Sequence, residues 1–163
     1  MTHDYKRNGT TTLFAAMSTL DGSVISCCAE RHRPAEWLDF LRRINHETPK
    51  DKKLHLVCDN HATHKHPKVK KWLEKHPRFH VHSAPTSASW LNMVERFFRG
   101  ISTDRLKRSV FRSAPELIAA IEEYIAAHNE NPKPFVWTAK ASDLLQKVIR
   151  ANRRIGSRKN EAR

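Results

Sequence analysis

The chain has 163 residues, with 30 Lys or Arg against 17 Asp or Glu, a formal charge of +13 and a pI near 10.1. That length accommodates one domain with a real core and is too short for two of ordinary size, while the basic balance points to a polyanionic partner, nucleic acid first, a signature that RNA-binding proteins share. No apolar run approaches the roughly eighteen residues of a membrane span, no signal-peptide pattern opens the chain, and Cys27, Cys28 and Cys58 lack the spacing of a disulfide framework, so a soluble cytoplasmic protein with reduced thiols is expected.

Residues 1–9 are polar and basic. Thr10–Met17 and Ser23–Ala29 are apolar or β-branched runs joined across Asp21-Gly22, which predicts a hairpin. Turn chemistry accounts for Asp21, and Asp4 has no strand to position it. Pro34 suits the first turn of a helix whose apolar face is Trp37, Leu38, Phe40, Leu41 and Ile44, ending before Pro49. Leu54 to Asp59 is a short apolar run ending on an acid, which suits a buried strand. Pro67 opens a second helix, with Val69, Trp72 and Leu73 inward and Lys68, Lys70, Lys71 and Lys75 mostly outward.

Phe79–Ala84 reads as a strand, Phe79 and Val81 alternating with His80 and His82. After the loop Pro85–Ser89, a helix places Trp90, Leu91, Val94, Phe97, Phe98 and Ile101 on one stripe, with Glu95 at its border. Ser113 and Glu116 have capping-box spacing, ahead of the apolar set Leu117, Ile118, Ile121, Tyr124 and Ile125. Asn129–Pro134 breaks the pattern. A last helix is expected from near Ser142, carrying Leu144, Leu145, Val148 and Ile149, and the tail after Arg150 is basic. One domain over 1–150 with a basic tail over 151–163 is the resulting division.

Two acids stand out. Asp59 ends a strand, where active groups of open α/β sheets gather, and Glu95 can face a cleft from a helix anchored in the core. Taken singly, a strand-end Asp is commonly a helix cap and a helix-border Glu a solvated charge. Their surroundings add weight. The stretch Asp59-Asn60-His61-Ala62-Thr63-His64-Lys65, followed by Ala84-Pro85-Thr86-Ser87-Ala88-Ser89-Trp90-Leu91-Asn92-Met93-Val94-Glu95, resembles the DDE transposases of bacterial insertion sequences in the Tc/mariner superfamily. The resemblance runs from Thr2 to Thr138.

It implies a ribonuclease-H-like α/β fold, a mixed sheet flanked by helices, and metal-dependent DNA strand cleavage and transfer in transposition. Asp59 and Glu95 correspond to the second and third acids. The first acid stands in the family on a strand upstream of the stretch resembling Thr2–Thr10, and the element-reading helix-turn-helix region also lies upstream. The expectations are therefore an incomplete fold lacking its first central strand, a poorly stable or self-associating chain, and activity that is absent or severely impaired. Mg²⁺ or Mn²⁺ is the implied cofactor, with Asp59 helping to bridge two ions and Glu95 holding one. Asn60, His64 and Asn92 match the family pattern and are candidates for supporting the acids.

Arg96, Arg99, Arg105, Lys107, Arg108 and Arg112, with Asp104 the one acid within residues 96–112, are the candidate DNA contacts. The expected partners are insertion-sequence ends and target DNA, with a second copy or a full-length transposase. Two alternatives stay open: a non-catalytic DNA-binding antagonist of a full-length transposase, and a decayed remnant. A zinc site from Cys58, His61, His64 and His66 is weaker, because the spacing matches no structural zinc module.

Overall fold

The computed structural model describes residues 9–59, 62–83, 94–106, 109–134, 146 and 149–150. The chain opens with an antiparallel hairpin, β1 (Thr12–Met17) and β2 (Val24–Ala29), in the register Phe14 opposite Cys27. Its turn rests on local chemistry. Gly22 takes φ +81°, and the Asp21 carboxylate accepts the Ser23 N–H at 2.9 Å and the Ser23 hydroxyl at 2.8 Å. These bonds, the Ser23 amide first, hold the Asp21 carboxyl below its ordinary pKa. Gly22 also lies so close to the Lys133 backbone that a Cβ there has no room.

Helix α1 (Pro34–Glu47) follows, with proline in its first turn as expected. Strand β3 (Leu54–Cys58), a single 3₁₀ turn (Ala62–Lys65), helix α2 (Pro67–Glu74) and strand β4 (Phe79–Ser83) form a parallel β–α–β unit, Leu54 opposite Phe79. Helix α3 (Val94–Gly100) runs into a π-helical turn (Ile101–Leu106), and α4 (Ala114–Glu130) is the longest helix described. Ser113 caps α4 through the Glu116 N–H, while the Glu116 carboxylate reaches back to the Arg112 N–H. Gln146, Ile149 and Arg150 are helical; the rest of the expected last helix, and Trp90 and Leu91 of the expected α3 stripe, lie outside the described residues.

The hairpin is the middle layer. Phe14, Ala16, Ile25, Cys27 and Ala29 point to α1 and share one core with Trp37, Leu38, Phe40, Leu41, Ile44, Val69 and Phe79. Leu13, Ala15, Met17, Val24 and Cys28 point the other way, to a second core around Phe97, Ile101, Ile121 and Ile125. This alternation is the period-two geometry of a strand covered on both sides. At the far end, Asn129 pins α4 to the hairpin: its Oδ1 accepts the Val24 N–H and its Nδ2 donates to the Val24 carbonyl, each at 2.9 Å. His128 Nε2 lies 2.9 Å from the Gly22 carbonyl oxygen.

The architecture is mixed α/β and compatible with the expected ribonuclease-H-like order. Its strands form two separate two-stranded sheets among the described residues, β1–β2 and β3–β4. Both sheets lean on α1 through the same core, Phe14 from one and Phe79 from the other.

Three expectations need correction. β3 is not buried on both faces: Leu54 and Leu56 pack on the α1–α2 side, whereas His55 is exposed and Val57 is 52% exposed on the other. Among the described residues no element covers that second face, so the strand alternates. The strand also ends at Cys58, leaving Asp59 just beyond it. Finally, α3 does not continue as a regular helix after Gly100. The Thr103 hydroxyl donates to the Arg99 carbonyl at 2.8 Å, a back-bond that accompanies bent helices.

Candidate active site

Asp59 leaves the carboxyl end of β3, the parallel strand against which α2 returns the chain to β4. Its side chain is 61% exposed, so the carboxylate is open to solvent. The 3₁₀ turn folds the next residues back, and His64 becomes the partner of Asp59. His64 Nδ1 stands 3.1 Å from the Asp59 carbonyl oxygen and 3.4 Å from its Oδ1. The imidazole itself is almost wholly buried, its side chain only 9% exposed. It packs on the Trp37 indole at 4.3 Å between ring centroids, with His32 at 6.3 Å, and Trp37 in turn contacts Phe14 at 6.1 Å. A row of rings therefore runs from the hairpin through α1 to the acid. Trp37 and His32 escape sequence inspection as site-forming residues, since twenty-six residues lie between Trp37 and His64 and no local pattern links them.

Cys58, one residue before the acid, is the counter-example. Its thiol is pushed up to about 11, first by burial and then by the neighbouring Asp59 charge, which leaves it protonated at neutral pH. All three cysteines are free thiols, and among the described residues no group of three His, Cys, Asp or Glu side chains is arranged to hold a metal ion. The weak zinc reading gains nothing from this.

Glu95 lies in the first turn of α3 and is exposed, as its border position implies. Its helix is anchored from the second core, by Phe97 and the following Ile101. Phe97 packs edge-on against His128 at 4.9 Å and near Tyr124 at 5.9 Å. Asp59 and Glu95 thus draw on different cores, and His64 stands against Asp59. Of the basic candidates, Arg96, Arg99 and Arg105 are exposed; Arg105 is paired with Glu123 at 2.5 Å. Asn60, Asn92, Lys107 and Arg108 lie outside the described residues.

Among known families, the one described as DDE superfamily endonuclease matches residues 2–118. The chain belongs to that superfamily. A search among curated proteins returned no match. DDE endonucleases act on DNA and generally use divalent metal ions, so DNA is the substrate class that family membership implies. The match spans both Asp59 and Glu95 and stops within α4. The donor chemistry of this DDE chain suits a hard cation: carboxylate oxygens at a solvent-open strand end are what Mg²⁺ and Mn²⁺ take, completing their shells with water. No helix among the described residues is long and apolar enough to cross a membrane.

Proposed function

We propose that this chain is a catalytic-domain portion of an insertion-sequence transposase of the Tc/mariner type, with Asp59 and Glu95 as two of its metal-holding acids. The observation that carries the reading is Asp59 at the end of a parallel strand, its carboxylate open to solvent and its backbone and side chain both faced by a buried histidine. A core-anchored imidazole beside an exposed acid is the arrangement expected where the acid's position matters. Asp59 and Glu95 would hold Mg²⁺ or Mn²⁺; when bound, such an ion supplies charge stabilisation at phosphoryl oxygens. His64 steadies the strand end, Asn60 and Asn92 support the two acids, and Arg96, Arg99, Arg105, Lys107 and Arg108 neutralise phosphates.

Two acids are fewer than the family's three, so the reading includes impaired activity for residues 1–163 by themselves. An acid-bearing strand upstream of β1, from the same gene or another polypeptide, would complete the set. The two separate sheets, each with an outer strand edge, support that part of the reading. The basic stretch 151–163 is assigned, in this reading, outside the 1–150 domain.

The test is nicking of supercoiled plasmid in Mg²⁺ or Mn²⁺, comparing the chain with Asp59→Asn and Glu95→Gln. Metal-dependent nicking lost in both variants supports the catalytic reading. Salt-sensitive DNA binding without nicking, unchanged in Asp59→Asn, favours the antagonist instead, a reading supported by the net charge of +13.

A further inference from the structure

Two helices pack side by side under the same core yet treat their charges in opposite ways. On α1 and its N-cap each of three arginines has an acid three or four residues away: Arg33, the N-cap, with Glu36 at 2.7 Å, Arg42 with Asp39 at 2.6 Å and Arg43 with Glu47 at 2.7 Å. On α2 and its flanks, Lys65, Lys68, Lys70, Lys71 and Lys75 are all exposed, and none of them has an ion-pair partner among the described residues. The only acid on that helix is Glu74.

The arrangement follows from which face α2 buries. Val69 is buried and Trp72 and Leu73 are half-buried against the core, so the opposite side must face solvent. Lys68, Lys71 and Lys75 fall three and four residues apart, which stacks them in one row along that helix. Lys75 belongs to the row because it keeps right-handed helical backbone as the C-cap, φ −82° and ψ −8°. His66 fixes the other end, its Nδ1 accepting the Lys68 N–H at 3.2 Å. Four cations on eight residues and a C-cap repel one another, and nothing on the helix offsets this except Glu74.

We infer that Lys68, Lys71 and Lys75 form a track for the phosphate backbone of duplex DNA, separate from the arginines near Glu95. The inference rests on the reading of the chain as a DNA-acting endonuclease and adds where the duplex lies. At about 1.5 Å per residue the row is roughly 10 Å long. Phosphates on one strand follow at about 3.4 Å of helix axis each, so the row is about three such steps long, a stretch of backbone that three lysines can reach. Each unpaired lysine that meets a phosphate releases condensed counterions, whereas an arginine already bound to a carboxylate must first give up that partner. The track also begins at the 3₁₀ turn that carries His64, so a strand held there runs toward the end of β3 that bears Asp59.

The experiment is fluorescence anisotropy of a labelled random-sequence duplex, without metal, over a potassium chloride series. The chain is compared with Lys68→Gln/Lys71→Gln/Lys75→Gln and with Arg33→Gln/Arg42→Gln/Arg43→Gln, which remove the same number of charges. The α2 variant is expected to lower the slope of log affinity against log salt by about 0.9 per lysine, close to 3 in all, and the α1 variant by less than about 1. Equal loss in the two variants overturns the track while leaving DNA binding intact. Failure of the unaltered chain to bind at low salt overturns the DNA-acting reading itself. The single Lys71→Gln, expected to lower the slope by about 0.9, keeps the test decisive if the triple variant melts early.

Discussion

Asp59 and Glu95 present the same chemical group to solvent from differently built supports. Asp59 stands on a strand end that a buried histidine grips from below, and that histidine rests on Trp37 in the core shared by both sheets. Glu95 stands on a seven-residue helix whose hold on the protein comes from Phe97 and the residues behind it, in the core on the other side of the hairpin. One acid is fixed by its own neighbours; the other is fixed only as well as its helix is docked. In a site that needs both, the helix is the part with freedom to adjust.

The largest effects separate the two cores. Trp37→Ala and Phe97→Ala should each lower unfolding free energy by about 3–5 kcal/mol in urea titrations. Only Trp37→Ala should move the His64 ring resonances in an NMR spectrum. An equal shift from Phe97→Ala would erase the distinction between the supports. Next, His64→Ala should weaken Mn²⁺ binding at Asp59 by about tenfold to a hundredfold, read by electron paramagnetic resonance, while His64→Asn retains a donor and loses less. If both variants bind as the unaltered chain does, the grip on Asp59 is packing alone.

Asn129→Ala should cost about 1–3 kcal/mol, because it strips the Val24 N–H and carbonyl of their partner. Amide exchange should then rise in the Glu95 half more than around Asp59. A smaller effect concerns Cys58. Its folded pKa of about 11 lies above the ordinary 9.0, so folding favours the protonated thiol. That contribution is complete below pH 9 and fades as pH rises toward 11. Denaturation midpoints should therefore fall more steeply across that window in the unaltered chain than in Cys58→Ala. Smallest of all, Glu95→Gln should leave stability within about 0.5 kcal/mol, as expected of an exposed side chain with no ion pair or hydrogen bond to lose among the described residues.

What the sequence made legible was local. The Asp21-Gly22 turn, prolines 34 and 67 in first turns, and the Ser113–Glu116 cap are set by residues a few positions apart, and each stands where the pattern puts it. Asp59 at a strand end and Glu95 on a helix border were legible for the same reason. The hidden parts depend on distant residues. Nothing near His64 announces the Trp37 ring beneath it, and only one weak sign in Leu54–Cys58 tells that one face has no covering layer among the described residues. The alternation of His55 and Val57 with leucines was the available sign, but an apolar run of five reads equally as a strand buried twice. The His66 cap on α2 was missed because imidazole is an uncommon cap; Ser, Thr, Asp and Asn are the usual ones.

The bond between Asn129 and Val24 has a consequence in time. The hairpin leaves the ribosome before α4 does, and the side chain that completes the hydrogen bonding of Val24 is encoded 105 residues later. At about 5–20 residues per second, the nascent β2 waits on the order of 5–20 s for that partner. During that interval the face of Leu13, Ala15 and Met17 has no α4 to cover it. A chain whose synthesis stalls before Asn129 should accordingly be held by chaperones, while one released after Glu130 can close on itself.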